Sequence, residues 1–181
     1  METTAPSKSS VAIKWTIFSF LTSIILTYAF QFAGISQTSG LKYITFIPYI
    51  AFLLLAQKEY RDKSNGFMTY GEGFMTGFLF AIYTAILSTV FMYLYYKMLS
   101  PGTYEEIVKS TQSQMMAKGL DEETAAKMTA TYASITFLTI ATLIGGIVTG
   151  SIISLIGAAI FKKERTAFDI LKQDEGYSDP A

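Results

Sequence analysis

Between Lys127 and Lys162 the chain carries no charged residue. A helix needs roughly 20 apolar residues to cross a bilayer core of about 30 Å, and the run from Met128 to Phe161 exceeds that length. Within it, Thr142, Gly146, Gly150, Ser154 and Ala158 recur at every fourth position. On a helix this spacing keeps them on one face. Small side chains there let a neighbouring helix approach closely, while bulkier Leu and Ile are left for lipid. These two features predict an integral membrane protein of the all-α class.

Three further charge-free intervals, 15–41, 43–57 and 73–96, extend the pattern. Together they predict a four-helix membrane bundle with spans at about 14–35, 41–57, 74–96 and 133–161. Lys14 and Trp15 open the first span as residues suited to the headgroup level. Its apolar run is longer than the 7–15 residues of a secretory signal, and no small-residue cleavage pattern follows it, so a retained helix is expected. The second run, Leu41 to Gln57, is short and contains Pro48. Its readings are a span, favoured because Lys42 and Lys58 bracket it, or a re-entrant segment.

The connecting segments are polar. Residues 1–10 read as a disordered tail, and Ser36 to Gly40 as a tight turn. Lys58 to Gly73 reads as a hydrophilic loop in which Asn65-Gly66 marks a turn. Thr69 and Glu72 have capping-box spacing, which starts the third helix. Tyr93, Tyr95 and Tyr96 before Lys97 form an aromatic belt at its far end. Lys97 to Lys127 is the one sizeable extramembrane element. Thr103 and Glu106 again have capping-box spacing, and Tyr104, Ile107, Val108, Thr111 and Met115 form an amphipathic stripe. Gly119 stops that helix, and Asp121, with Glu122 and Glu123 behind it, caps another. External helices are thus expected at about 104–118 and 121–132, the second running straight into the last span. Lys162, Lys163 and Arg165 close the membrane domain of residues 11–165, and 166–181 is a polar tail.

With four spans both termini share a side. That side holds nine Lys and Arg residues and the other holds five. Orientation follows these cations near the spans, so both termini are expected to be cytoplasmic and the helix pair external.

The absences narrow the function. Without Cys the chain has no thiolate nucleophile, disulfide or cysteine-held cluster, and without His it lacks the commonest general base and zinc ligand. No cofactor and no catalytic activity are expected. Zero net charge gives a nucleic-acid partner no electrostatic support. No ionisable residue lies deep in a span, which disfavours proton-coupled transport. No internal repeat of the kind many transporters carry is visible. Glu59, Asp62 and Glu72, or Glu105, Glu106, Asp121, Glu122 and Glu123, could gather a divalent cation, but interspersed lysines favour a solvated helix surface. Gly71-x-Gly73-x-x-x-Gly77 lacks the spacing of a dinucleotide fingerprint.

The residues singled out for packing are Gly146, Gly150, Ser154 and Ala158, with Gly73 and Gly77 as a possible second small pair facing them. Packing inside one bundle is expected, because four helices need such a face; a seam between copies is the alternative. The amphipathic stripe is expected to dock on the Asp121 helix rather than on a membrane surface or a partner.

The order of elements, with the loop Tyr60-Arg61-Asp62-Lys63-Ser64-Asn65-Gly66 and Thr69-Tyr70-Gly71-Glu72-Gly73-Phe74, resembles a known family. It is the bacterial "domain of unknown function 4199" family of small four-span membrane proteins, and the likeness covers roughly residues 11–165. The specific positions are Tyr60, Arg61, Asp62, Gly66, Gly71 and Glu72. The resemblance implies the bacterial cytoplasmic (inner) membrane as location, and no activity. The lipid bilayer is then the first partner, with a homo-oligomer or another membrane protein as a second. The leading expectation is a non-enzymatic accessory or assembly subunit acting through helix packing. Its rival is a homo-oligomeric channel or transporter for a neutral solute or lipid, for which Thr139, Thr142, Thr149 and Ser151 are the polar candidates.

Overall fold

The computed structural model describes residues 7–35 and 40–166. The expected tail up to Pro6, the Ser36–Ser39 part of the first turn and the tail from Ala167 lie outside the described residues. Among those described, the chain is helical, with a single antiparallel bridge between Met68 and Lys163 outside the helices.

Helix α1 (Lys8–Phe32) starts earlier than expected. The Ser7 hydroxyl accepts from the Ser10 N–H and caps it, so residues 8–10 are helical rather than tail. A 3₁₀ turn (Gly40–Thr45) then leads into α2 (Phe46–Lys63). Pro48 therefore falls in the first turn of α2, where no intrahelical hydrogen bond is lost and no kink is forced. At its other end α2 continues through Lys58 to Lys63, which the sequence suggested was loop. The Glu59–Lys63 ion pair, one helical turn apart at 2.8 Å, favours the extension. The helix stops where Asn65 and Gly66 take left-handed φ values of 56° and 78°.

Helix α3 (Tyr70–Leu94) begins with both hydrogen bonds of the Thr69–Glu72 capping box in place. It widens into a π-helical turn at Tyr95–Leu99. Helix α4 (Pro101–Ala117) starts at Pro101, whose ring presets the first-turn φ, so Thr103 lies inside the helix and the expected box with Glu106 does not form. The Thr103 hydroxyl instead lies 2.7 Å from that of Ser100. Helix α5 (Glu122–Tyr132) is capped by Asp121, whose carboxylate accepts from the Thr124 N–H. It does not run into the next helix: the Ser134 hydroxyl accepts from the Phe137 N–H and starts α6 (Ile135–Phe161) afresh.

Three helical stretches, Lys8–Phe32, Tyr70–Leu99 and Ile135–Phe161, are long and apolar enough to cross a membrane. Helix α2 is not among them: its last six residues carry Lys58, Glu59, Arg61, Asp62 and Lys63. What is buried and what is exposed also invert the soluble pattern. The α6 core residues are Gly150, Ser154, Gly157 and Ala158, whereas Ile140, Ile144, Val148, Ile152, Ile156 and Ile160 are exposed. In water such an apolar surface would be unstable; against lipid it is the expected outside.

Helix α3 is the centre. Helices α1, α2 and α6 all pack on it, and α2 also touches α1 and α6. The start of α1, the end of α2, the start of α3 and the end of α6 meet at one end of the bundle, through the Lys14–Glu59 pair and the Met68–Lys163 bridge. At the other end the Tyr95 hydroxyl donates to Gln31 (3.1 Å), and Gln31 donates to Ser100 (3.2 Å), tying α1 to the α3–α4 corner. Helices α4 and α5 pack on each other as a hairpin at that end, with the Tyr104–Met115 stripe half-buried and Met115 against Thr129.

Candidate functional site

The contact between α3 and α6 is built from small residues. A Cβ at Gly73 would stand 3.1 Å from that of Ala158, and one at Gly146 would stand 3.2 Å from that of Ala85. At Gly77 it would collide with Ser154, and at Gly150 with Ala81. Gly73, Gly77, Gly146, Gly150, Ser154 and Ala158 thus face one another within this chain. The Ser154 hydroxyl donates to the Phe74 carbonyl across the seam (2.7 Å).

Into this seam α2 inserts one amide. Gln57 is fully buried, and its Nε2 donates to the carbonyls of Gly73 and Ser154, both at 2.9 Å. In a low-dielectric interior such bonds are expensive to leave unmade, so Gln57 fixes α2 against both partners. Its Oε1 rests on the backbone at Gly157, where any Cβ would collide with it. Gln57 and Gly157 were not singled out from sequence. The available signals were an amide closing an otherwise apolar run and a further small residue seven positions after Gly150.

Next to the seam, charged side chains form a clasp at the end where the α1 start and α6 end meet. Glu59 accepts from Lys14 Nζ and Trp15 Nε1, both at 2.7 Å, and pairs with Lys63. Burial pushes its carboxyl up, but the bonds from Lys14, Lys63 and Trp15 outweigh this and hold it down at about 2. Tyr60 is buried beside it and donates to Glu72 at 3.3 Å. Burial and the nearby Glu72 carboxylate push the Tyr60 phenol up. Glu72 also accepts from the Thr69 N–H and hydroxyl, both at 2.9 Å. Arg61 bonds Asp62 (3.1 Å) and lies over the Phe161 ring, while Lys163 and Arg165 lie over Phe67. Gly66 supplies the turn, and Gly71 sits in open space. Glu59, Asp62 and Glu72 therefore each have their own partners and do not converge. No cluster of three acidic side chains suited to a metal ion occurs among the described residues.

Toward the hairpin end the bundle opens into a cleft of about 480 Å³. Its walls are Ser19 and Ser23 of α1, Tyr49 of α2, Thr84 and Ser88 of α3, and Thr142, Gly145 and Thr149 of α6. The lining is mostly carbon with hydroxyls set into it, and no charged side chain reaches it. Of the polar positions raised from sequence, Thr142 and Thr149 line the cleft. Thr139 and Ser151 do not, and each donates back to its own helix, to the Ile135 and Ile147 carbonyls. Ser19, Tyr49, Thr84, Ser88 and Gly145 were missed. Single hydroxyls on different helices give no local signal until packing brings them together.

The clasp and the cleft both fall inside one family match. The model for a protein of unknown function (DUF4199) matches residues 14–163. The chain belongs to this family. The match begins at Lys14, one partner of Glu59, and ends at Lys163, the far side of the bridge to Met68, so the family's shared region spans the whole bundle. No curated protein and no solved structure matches the chain.

Proposed function

We propose that this family member is a non-enzymatic, four-span protein of the bacterial cytoplasmic membrane that takes an uncharged solute or lipid into its cleft. The observation that carries this reading is the lining: hydroxyls from four helices around a mostly apolar space, with no charged side chain. Pockets of about 300–1,000 Å³ lined in this way are the usual form of small-molecule sites. A charged guest would be desolvated there without a partner, which an apolar site strongly disfavours.

The layout supports four crossings. Helices α1 and α3 both start at the clasp, so a chain that leaves α1 at the far end must come back before α3 begins. Helix α2 makes that return. Its apolar part, Phe46 to Gln57, rises about 18 Å at 1.5 Å per residue, and the six residues of the 3₁₀ turn add about 12 Å. The clasp end carries Lys14, Lys58, Arg61, Lys63, Lys162, Lys163 and Arg165, which favours a cytoplasmic location for it and for both termini, with the α4–α5 hairpin outside.

A second reading, an accessory or assembly subunit, rests on α4, none of whose side chains is fully buried. It is the weaker one, because the small-residue row that could have served a partner is occupied by α3. Native mass measurement after gentle extraction separates the two. The expected result is the protein carrying a small uncharged adduct. A stoichiometric second protein without any adduct would overturn the cleft reading in favour of the accessory one.

A further inference from the structure

We infer that the cleft's occupant is an uncharged single-chain lipid that enters sideways from the bilayer, its chain lying against Gly145. This rests on the reading of the cleft as the place of an uncharged guest, and it adds the class of guest and the residue that admits it.

Gly145 is the first ground. It lies in the middle of α6, where glycine destabilises a helix relative to alanine because of its backbone freedom. Elsewhere on α6 the structure shows what glycine is for: Gly146, Gly150 and Gly157 each stand against side chains of α2 or α3. Gly145 does not. Beyond its own stretch of helix backbone no atom lies within 4 Å of where its Cβ would be, it is exposed, and it lines the cleft. Helix packing therefore gives no reason for it, whereas an open cleft does.

The second ground is where the cleft sits. It opens at the level where α2 gives way to the 3₁₀ turn, with Thr45, Phe46 and Pro48 at its edge. Helices α1 and α6 both pack on α3, and at this height only the first turn of α2 and the 3₁₀ turn border the space between them among the described residues. On the two helices that wall the cleft, Leu21 and Ile25 of α1 and Ile140 and Ile144 of α6 are exposed as on a lipid-facing surface, so hydrocarbon is the side from which a guest reaches it.

The third ground is the hydroxyls. Ser19, Ser88 and Thr149 present hydrogen-bonding groups from three helices, and the buried Tyr49 hydroxyl, beside Gly150, has no partner among the described residues. These groups suit a hydroxyl or ester and give nothing to balance a phosphate or carboxylate. With about 480 Å³ of space and no charged side chain in its lining, the cleft suits one chain with an uncharged head and gives the second chain and the phosphate of a phospholipid no place.

The test uses the full chain in phosphatidylcholine nanodiscs with a diazirine-bearing monoacylglycerol as photoprobe. Labelled peptides are identified by mass spectrometry, and glycerol flux is measured in liposomes in parallel. The expected result is labelling concentrated on residues 141–149, lost in Gly145→Leu while the melting temperature stays at or above that of the wild type. Ser88→Leu, on the α3 wall, should lose it too and covers the case in which the first variant misfolds. Labelling spread evenly over the lipid-facing residues, or unchanged in both variants, would overturn the inference. Absent labelling together with a glycerol flux that Gly145→Leu blocks would overturn the lipid and leave the uncharged guest. Absence of both signals would remove the cleft reading as well.

Discussion

Two glycines on one helix, five positions apart, should respond in opposite ways to the same methyl group. Gly145→Ala and Gly150→Ala share the helix-propensity gain of up to about 1 kcal/mol, which arises largely from the unfolded chain. At Gly145 nothing opposes it, since the added Cβ meets open space. At Gly150 the Cβ would stand 2.5 Å from the Tyr49 hydroxyl and collide with the Ala81 Cβ. The tyrosine can swing aside, but the alanine is anchored to the backbone of α3, so the helices must separate. Overpacking of this kind costs about 1–3 kcal/mol. The two variants should thus differ by about 1–3 kcal/mol. At about 2–4 °C per kcal/mol for a chain of this size, that is a gap of about 2–12 °C. Thermal melts of both proteins in one detergent, followed by circular dichroism, measure it. If Gly150→Ala melts at or above Gly145→Ala, the close α3–α6 approach is wrong. If Gly150→Ala leaves the melt unchanged but alters the oligomeric size, the row is a seam between copies.

Other expectations follow from the clasp, the buried amide and the topology. The folded Glu59 carboxyl is held at about 2 against an ordinary 4.5, so its contribution is complete well above pH 4.5 and is lost as pH falls from there toward 2. Glu59→Gln should therefore flatten the acid limb of the stability profile, and an unchanged limb would show that the clasp is not coupled to folding. Gln57→Leu removes the donor to Gly73 and Ser154 and should cost about 1–2 kcal/mol, the loss being partly offset by removal of the unbonded Oε1. A melt no lower than that of the wild type would refute the role given to this amide. Thr69→Ala should lose about 1 kcal/mol with the α3 cap, read by the same melts. For topology, Ser113→Cys should react with an impermeant thiol reagent on intact cells. Labelling at Lys172→Cys instead would invert the orientation.

Some of these features are legible in one dimension because their cause is local. The Thr69–Glu72 cap, the Asp121 cap and the Asn65-Gly66 turn depend on residues within three positions of one another, and the structure has each of them. Boundaries set by competition were misread. Lys58 to Lys63 is charged enough to resemble a loop, yet it stays helical because Glu59 finds Lys14 and Trp15 on another helix. Thr103 and Glu106 have the right spacing for a cap, but Pro101 starts the helix first. Ser134 was overlooked because an apolar run around it hides a single capping hydroxyl.

What the sequence determined alone is the solvent and the class: long charge-free runs cannot be hydrated, so they require lipid and a helical backbone whose polar groups are satisfied internally. It also determined which α6 face is small, since that follows from the helical repeat. Only the tertiary structure decided what that face meets, because helix pairing depends on the shape of two surfaces at once. It decided too that Gln57 bonds the carbonyl of Gly73, sixteen residues on, and that of Ser154, ninety-seven residues on. And it decided that hydroxyls scattered over four helices enclose one uncharged cleft, because a cavity is what packing leaves unfilled and has no pattern in any single helix.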